Sequence, residues 1–318
     1  MLDKASFIGE SWTKRYDSLI LFTPRLYNSL PGMIMEGESH GFPSKDEVSR
    51  YLKEYAKKYK FPVQFNTDVE RVNKDDEGNF IVQTSKGIFK SKNIVIATGP
   101  FHKKFIPSVS KSINRGVTQF HSSEYRNVHQ LQEGNVLVVG GGNSGVQIAV
   151  ELSNSKETHL SISKNLTFLP LVVLGKSIFW WFDKLGILNA TTNSFFGRLI
   201  QRKGDPIFGH ELKSAMKKNK VNVRPKVISA SEKQVMFEDT STLDVQNIIW
   251  STGFISDYSL VQIENALNEK NEIIHERGVS PVKGLYFLGL PWQHKRGSAN
   301  LLGVGDDAKF LENFLIDD

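Results

Sequence analysis

The chain has 318 residues, enough for two domains, and its 39% hydrophobic and 11% aromatic content is that of a globular protein. Its formal charge of +6 comes from basic residues dispersed along the chain, which argues against nucleic-acid binding and suits a small anionic ligand. The absence of cysteine excludes disulfides, thiolate metal sites and dithiol redox relays.

The N-terminal region lacks the basic start and apolar core of a signal peptide, and no window holds the roughly 18 apolar residues of a membrane span. We therefore expect a cytoplasmic protein without a transmembrane segment. The eight histidines show no ligand spacing, so no metal site is predicted.

The first predicted element is a helix that starts after Ser44. Ser44 and Glu47 have the spacing of a capping box, and apolar side chains follow at helical spacing until Pro62. A meander is predicted next, with short strands at residues 63–65, 69–72 and 80–84. The apolar run 93–97 predicts a fully buried strand that leads into the turn Thr98-Gly99-Pro100.

The strongest motif is a Gly-x-Gly-x-x-Gly turn between an apolar strand and an apolar-periodic helix. Gly140 allows the tight turn, Gly142 lets the backbone approach a pyrophosphate, and Gly145 lets the helix pack closely on the strand. Asn143 and Ser144 complete the turn, and the helix N-terminus offers free N–H groups to an anion. The segment predicts a dinucleotide-binding module.

The residues about 20 positions downstream of the glycine turn bear on the choice of dinucleotide. An acidic group there would bind the ribose 2′-hydroxyl of NAD, but the predicted strand 158–163 ends in Ser163 and is followed by Lys164. A cation favours the 2′-phosphate of NADP. Lys164 as a solvated surface lysine, with Glu157 as the acidic group, is the alternative.

A second strand and Thr-Gly turn follow an apolar insert. Residues 166–188 place four apolar side chains at helical spacing, which predicts a buried amphipathic helix; a lid, a dimer face or a membrane-surface contact are the other interpretations. The strand 247–251 then runs into Thr252-Gly253-Phe254, so the chain uses the same strand-exit turn twice.

The glycine turn, the two Thr-Gly turns and Gly9-Glu-Ser-Trp12 together give the chain its family resemblance. It resembles the two-dinucleotide-domain flavoproteins and, within them, the class B flavin-containing monooxygenases. His121-Ser-Ser-Glu-Tyr125 and the tail from Gly284 to Ala308 are especially similar to the CzcO-like bacterial branch.

The resemblance implies an α/β fold with two Rossmann-like domains. The FAD-binding domain would comprise residues 1–112 and 272–318, and the NADP-binding domain residues 113–271 with a helical insert at about 166–210. In this family a first βαβ unit carries the FAD glycines, and no second Gly-x-Gly-x-x-Gly occurs in the sequence. We therefore expect an FAD domain truncated at its N-terminus, with unpaired backbone groups in its core, or a start codon assigned too late.

The resemblance also assigns cofactor-binding residues. Asp3 would bind the FAD ribose, Val69 the adenine, and Asp306 would start a helix aimed at the flavin ring. His121 would orient NADP. The remaining FAD-side residues form the flavin-side loop and the first Thr-Gly turn: Gly9, Glu10, Ser11, Trp12, Thr98 and Gly99.

The implied activity is that of an oxidoreductase in which NADPH reduces FAD and the reduced flavin reacts with O2 or a small acceptor. The monooxygenase fingerprint is half present, because Gly116 stands one residue too far from His121 and the Phe position is unmatched. Monooxygenase and plain flavin-dependent reductase therefore both stay open, and so does a catalytically silent NADP-binding protein without FAD. No catalytic residue is nominated; a small-molecule substrate is expected, and a homodimer is left open.

Overall fold

The computed structural model describes residues 1–315. Its helices are α1 (Glu10–Thr13), α2 (Lys45–Tyr59), α3 (Asn143–Leu152), α4 (Ile178–Lys184), α5 (Phe195–Lys203), α6 (Glu211–Lys217) and α7 (Leu301–Leu315). Its strands are β1 (Val69–Lys74), β2 (Phe80–Thr84), β3 (Gly87–Ser91), β4 (Ile94–Ile96), β5 (Lys103–Lys104), β6 (Thr118–His121), β7 (Val136–Val139), β8 (Thr158–Ser161), β9 (Phe168–Leu169), β10 (Val172–Val173), β11 (Lys176–Ser177), β12 (Ile207–Phe208), β13 (Val221–Arg224), β14 (Val227–Ser231), β15 (Gln234–Phe237), β16 (Thr242–Asp244), β17 (Asn247–Trp250), β18 (Phe254–Ile255) and β19 (Leu285–Phe287). Short 3-10 turns lie at Arg25–Tyr27, Ser108–Ser112, Val128–Gln130 and Ile187–Asn189.

The largest sheet has five parallel strands in the order β13-β8-β7-β17-β6. All four residues of β7 are buried, because side chains alternate between two covered faces. Val136 and Val138 join the core under α3 and α6, whereas Leu137 and Val139 pack against the antiparallel meander β14-β15-β16. This sheet carries the glycine turn at its carboxyl edge.

A second core lies between the meander β1-β2-β3 and the parallel pair β4–β19. Ile96 pairs with Phe287 in that pair, and both side chains are buried with Phe80. Strand β4 differs from its prediction: Val95 is 39% exposed, so the strand is not buried on both faces. The pair is short and open on one side, which places the first Thr-Gly turn at an accessible edge.

The antiparallel pair β5–β18 brings the two Thr-Gly turns side by side. Lys104 pairs with Phe254, and the Phe105 N–H donates to the Gly253 carbonyl oxygen at 3.0 Å. The end of β4 and the end of β17 therefore meet at one place in the molecule.

Several predicted elements are confirmed. Helix α2 begins after Ser44, whose side chain and that of Glu47 form both bonds of the capping box, and it ends before Pro62. Strand β2 and the sequence from β7 to α3 are also confirmed.

Other predictions were wrong. Residues 63–65 form no strand, since only Gln64 makes a single bridge, to Leu2. The predicted helical insert also contains the four short strands β9 to β12. Its helix α4 buries Phe179 but leaves Leu185, just past its end, 69% exposed.

Among residues 1–315, no helix has both the length and the apolarity that crossing a membrane requires.

Candidate functional site

The glycine turn joins β7 to α3 by two close backbone approaches. Gly140 has φ 118°, and a Cβ there would stand 2.2 Å from the Ser251 carbonyl oxygen. A Cβ on Gly145 would stand 2.0 Å from the Gly140 carbonyl oxygen. Because both neighbours are backbone atoms, these two glycines are required by the packing of the protein itself.

Gly142 differs from its two partners. Its φ of −76° suits any residue, and a Cβ built there meets no protein atom within 4 Å. It caps α3 without a side-chain bond, so the N–H groups of Asn143, Ser144 and Gly145 lie in a first turn that offers them no internal acceptor. An open cradle of free N–H groups at a helix N-terminus fits the pyrophosphate of a dinucleotide.

The side chains of Asn143 and Ser144 are positioned differently. Asn143 donates through Nδ2 to the Pro206 carbonyl oxygen and accepts through Oδ1 from the Phe208 N–H, both at 3.0 Å. Asn143 thereby holds the start of α3 against β12. Ser144 is exposed, and burial raises the pKa of Tyr16, a rise that the Ser144 hydroxyl partly offsets.

Ser163 and Lys164 are both exposed at the carboxyl edge of the parallel sheet. Strand β8 ends at Ser161, two residues earlier than predicted, so Lys164 follows a short loop. Since β8 is the neighbour of β7, this cation lies just beyond the end of the strand next to the glycine turn. That placement fits a 2′-phosphate on a dinucleotide held by α3.

His121 is fully buried at the end of β6. Its Nε2 lies 2.9 Å from the Gly253 carbonyl oxygen, which can only accept, so Nε2 carries the proton. Its Nδ1 then accepts from the Ser123 N–H at 3.2 Å and bonds to the Ser123 hydroxyl at 2.8 Å. Burial lowers the pKa of His121. Nε2 therefore fixes the second Thr-Gly turn, and Nδ1 fixes the loop that follows β6.

The N-terminal candidate residues lie on and before α1. Asp3 is exposed and accepts from the Ala5 N–H at 2.9 Å. Gly9 caps the N-terminus of α1 with φ 80°, and a Cβ there would meet Ser49. Glu10 accepts from the Ser6 N–H and hydroxyl, each at 3.0 Å, and its bond to Lys14 holds the pKa of this carboxyl below its ordinary value. Ser11 is exposed, and Trp12 packs in the small core under α2.

Two residues that follow α1 contact the helix after the glycine turn and the second Thr-Gly turn. Tyr16 donates to Gln147 on α3 at 2.9 Å. The Arg15 guanidinium lies over the Phe101 ring at 5.0 Å and the Phe254 ring at 6.0 Å, between the segments that follow the two Thr-Gly turns. The sequence shows no motif for this contact, because its three residues are far apart along the chain.

The remaining candidates lie around the first Thr-Gly turn and the last helix. Val69 starts β1 and is half-buried. The Thr98 hydroxyl bonds to His102 at 3.0 Å, and Gly99 has φ 70° with open space where a Cβ would stand. The prediction that Asp306 starts a helix was wrong, because α7 begins at Leu301. Asp306 lies within α7 and is paired with Lys295 at 2.5 Å.

Asp307 is a charged residue that sequence reasoning missed. It is fully buried, pairs with Arg277 at 3.2 Å, and its Oδ2 has no hydrogen-bond partner among the described residues. The repeated Asp-Asp in the sequence conceals which carboxylate faces the core. The burial pattern of α7 settles it.

The residues present fit NADP and only part of FAD. The described part of the chain holds one open glycine cradle, at Gly142, and the sequence contains no second Gly-x-Gly-x-x-Gly for another pyrophosphate. The contacts expected of Asp3 and of the residues of α1 to the ribose and flavin ends of FAD stay predictions. Among residues 1–315, no three His, Asp or Glu side chains are placed to hold a metal ion.

The chain matches a known protein family and is similar to bacterial oxidoreductases. Residues 2–167 match the family model described as pyridine nucleotide-disulphide oxidoreductase. The chain is 55% identical to an uncharacterized oxidoreductase CzcO of Bacillus subtilis, over 98% of this chain and 90% of that protein. It is 50% identical to a CzcO-like oxidoreductase of Geobacillus kaustophilus, over 99% of this chain and 90% of that protein.

Solved structures show the same fold. A flavin-containing monooxygenase from Stenotrophomonas maltophilia has a TM-score of 0.77 at 23% identity, over 96% of this chain and 87% of that chain. The complex of OTEMO with FAD and NADP has a TM-score of 0.70 at 16% identity, over 99% of this chain and 80% of that chain. The predicted α/β fold with two Rossmann-type domains is thereby confirmed.

Proposed function

Because the chain belongs to the pyridine nucleotide-disulphide oxidoreductase family, we propose that it is an NADPH-dependent oxidoreductase of the flavoprotein type, monooxygenase-like in its reaction. The observation that carries the proposal is the open cradle at Gly142, where the protein leaves space and free N–H groups at the start of α3. A small-molecule substrate and a cytoplasmic location are part of the same proposal.

The NADP part of the proposal rests on charge and position. The first turn of α3 binds the pyrophosphate through backbone N–H groups and the partial positive charge of the helix. Lys164, exposed on the neighbouring strand's loop, pairs with the 2′-phosphate. The dinucleotide then extends from the sheet edge toward the second Thr-Gly turn, which His121 holds in place.

FAD, when bound, supplies the hydride acceptor and the reaction with O2. In this proposal Asp3 contacts its ribose and the residues of α1 lie beside the flavin. Arg15 and Tyr16 connect α1 to the dinucleotide side, through Phe254 and Gln147 respectively. Their role is to hold the two halves of the site in a fixed relation.

A monooxygenase-like reaction is favoured over disulfide reduction by the side chains available. A dithiol relay needs two thiols, and the sequence has none. The titratable groups at the two Thr-Gly turns are occupied by structural bonds, as His121 and His102 show. The protein therefore orients its cofactors and excludes water, and the cofactors supply the chemistry.

A second function is favoured by one observation, the single glycine cradle. With no second pyrophosphate site among the described residues, a protein that binds NADP without FAD and does not turn it over is the alternative. The visible spectrum of the purified full chain separates the two. Flavin absorption, together with NADPH oxidation that requires FAD, supports the enzyme; a colourless protein that binds NADPH and stays inactive with added FAD supports the alternative.

A further inference from the structure

The segment from β10 to α5 concentrates exposed apolar side chains. Six large hydrophobic residues within 28 positions are strongly exposed: Val172 (51%), Leu174 (86%), Leu185 (69%), Phe195 (76%), Phe196 (69%) and Leu199 (41%). Leu174 is also held at φ 49° in the hairpin between β10 and β11, a conformation that leucine seldom adopts. Single exposed hydrophobic residues are ordinary, but a contiguous apolar patch marks a binding surface, and Phe195, Phe196 and Leu199 lie together on one short helix.

Helix α5 presents three of these side chains in a fixed orientation. The Ser194 side chain caps the helix by accepting from the Gly197 N–H at 3.0 Å. A Cβ on Gly197 would stand 1.9 Å from the Thr191 carbonyl oxygen, so the Gly197 side of the helix is pressed against the protein. Since residues two apart on a helix point in opposite directions, Phe195 and Leu199 are directed away from the protein.

The outward face of α5 is flanked by cations. At 3.6 residues per turn, Phe195, Leu199 and Phe196 fall within an arc of about 100°. Arg198 and Arg202 lie along one side of that arc, and Lys203 lies within it near Phe196. Phe195, Leu199 and the two arginines also line a shallow groove of about 240 Å³.

The cations of α5 have no carboxylate partner among the described residues. The helix contains no acidic residue, and Arg198 donates only to the Asn193 carbonyl oxygen, at 2.8 Å. The nearest acid along the chain, Asp205, is paired with Arg296. The exposed face of α5 is therefore apolar and positively charged, with nothing in the described chain to neutralise it.

We propose that α5 is an interfacial helix that binds the surface of a lipid bilayer containing anionic phospholipids. Its phenylalanines and leucine enter the boundary between headgroups and acyl chains, and its three cations contact the phosphates. A second copy of the chain fits this face poorly. A symmetric contact would oppose the same cations on two chains that each carry a formal charge of +6.

Vesicle co-sedimentation of the full chain tests this proposal. We expect binding to vesicles of phosphatidylcholine with phosphatidylglycerol, weakened by added salt, and no binding to phosphatidylcholine alone. Each arginine near an anionic surface contributes about 1 kcal/mol, so Arg198→Gln with Arg202→Gln should weaken binding roughly 30-fold. The matched control neutralises two exposed lysines of α6 and its end, Lys217→Gln with Lys218→Gln, and should bind as the unaltered chain does.

A second pair of variants tests the apolar contribution. Phe195→Ser with Phe196→Ser should abolish binding, whereas Ile88→Ser, at a β3 side chain that is 69% exposed, should not. No binding to phosphatidylglycerol vesicles, equal binding to both kinds of vesicle, or equal losses in the α6 control would overturn the proposal. So would a dimer in gel filtration that the phenylalanine variant converts to monomer. None of these readouts depends on NADPH or flavin.

Discussion

The Nε2 of His121 donates a hydrogen bond to the Gly253 carbonyl oxygen at 2.9 Å, across 132 positions of the chain. The bond ties the end of β6 to the turn that follows β17. The imidazole also packs edge-on against Phe254, with ring centroids 4.9 Å apart. His121, at the end of a neighbouring strand of the same sheet, therefore fixes the position of the second Thr-Gly turn.

Replacing His121 by alanine should lower the free energy of unfolding by about 3 kcal/mol. The change opens a cavity where the buried ring was, and it removes one of the two hydrogen bonds that the Gly253 carbonyl oxygen accepts, leaving the one from the Phe105 N–H. Urea unfolding followed by tryptophan fluorescence measures the difference. An unfolding free energy equal to that of the unaltered chain would show that this bond is not structural.

Stability should fall as the pH is lowered below the ordinary pKa of histidine, about 6.5. Burial lowers the pKa of four histidines: His121, His159, His275 and His294. Between their folded and unfolded pKa values, the unfolded chain binds protons that the folded chain excludes, so protons favour unfolding.

Urea titrations at about pH 7.5 and about pH 5.5 measure this pH effect, and His121→Ala should show a smaller decrease than the unaltered chain. Carboxylates with lowered pKa values, such as Glu47 and Asp257, add to the loss only at more acidic pH. A free energy of unfolding that is constant or larger at the lower pH would contradict this prediction.

Lys164→Ala should change the preference between nicotinamide cofactors. Loss of a charge-assisted bond to the 2′-phosphate should weaken NADPH binding by about tenfold and leave NADH binding within about twofold. Calorimetric titration with each cofactor gives the ratio, with Lys217→Ala as a control at another exposed lysine. If Lys164→Ala binds NADPH as tightly as the control does, the 2′-phosphate is held elsewhere.

Local patterns predicted the elements that depend on local physics. The capping box at Ser44 predicted α2, and the alternation of strand, glycines and apolar helix predicted the sequence from β7 to α3. Strand β3 escaped notice because it has no buried residue, with Ile88 69% exposed. Its pairing with β2, not its own hydrophobicity, makes it a strand.

The candidate site was predictable at the glycine turn and not beyond it. The three glycines were found from their spacing, yet only the structure shows that Gly140 and Gly145 are required by close backbone packing and that Gly142 faces open space. The position of Arg15 between Phe101 and Phe254 depends on long-range packing, which no spacing reveals. Asp306 and Asp307 are neighbours in the sequence, and burial alone distinguishes them.

In the proposed complex, the open cradle at Gly142 holds the pyrophosphate of NADPH. Titration of NADPH into the unaltered chain and the Gly142→Ala variant tests it most directly, with Gly116→Ala as a control at the opposite edge of the sheet. A Cβ at Gly142 meets no protein atom, so the free energy of unfolding should change by less than about 1 kcal/mol. Gly145→Ala, whose Cβ meets the Gly140 carbonyl oxygen, should instead destabilise the fold by at least about 2 kcal/mol.

We expect Gly142→Ala to remain as stable as the control and to bind NADPH at least about tenfold more weakly. Equal NADPH affinity in a stably folded Gly142→Ala variant would contradict it.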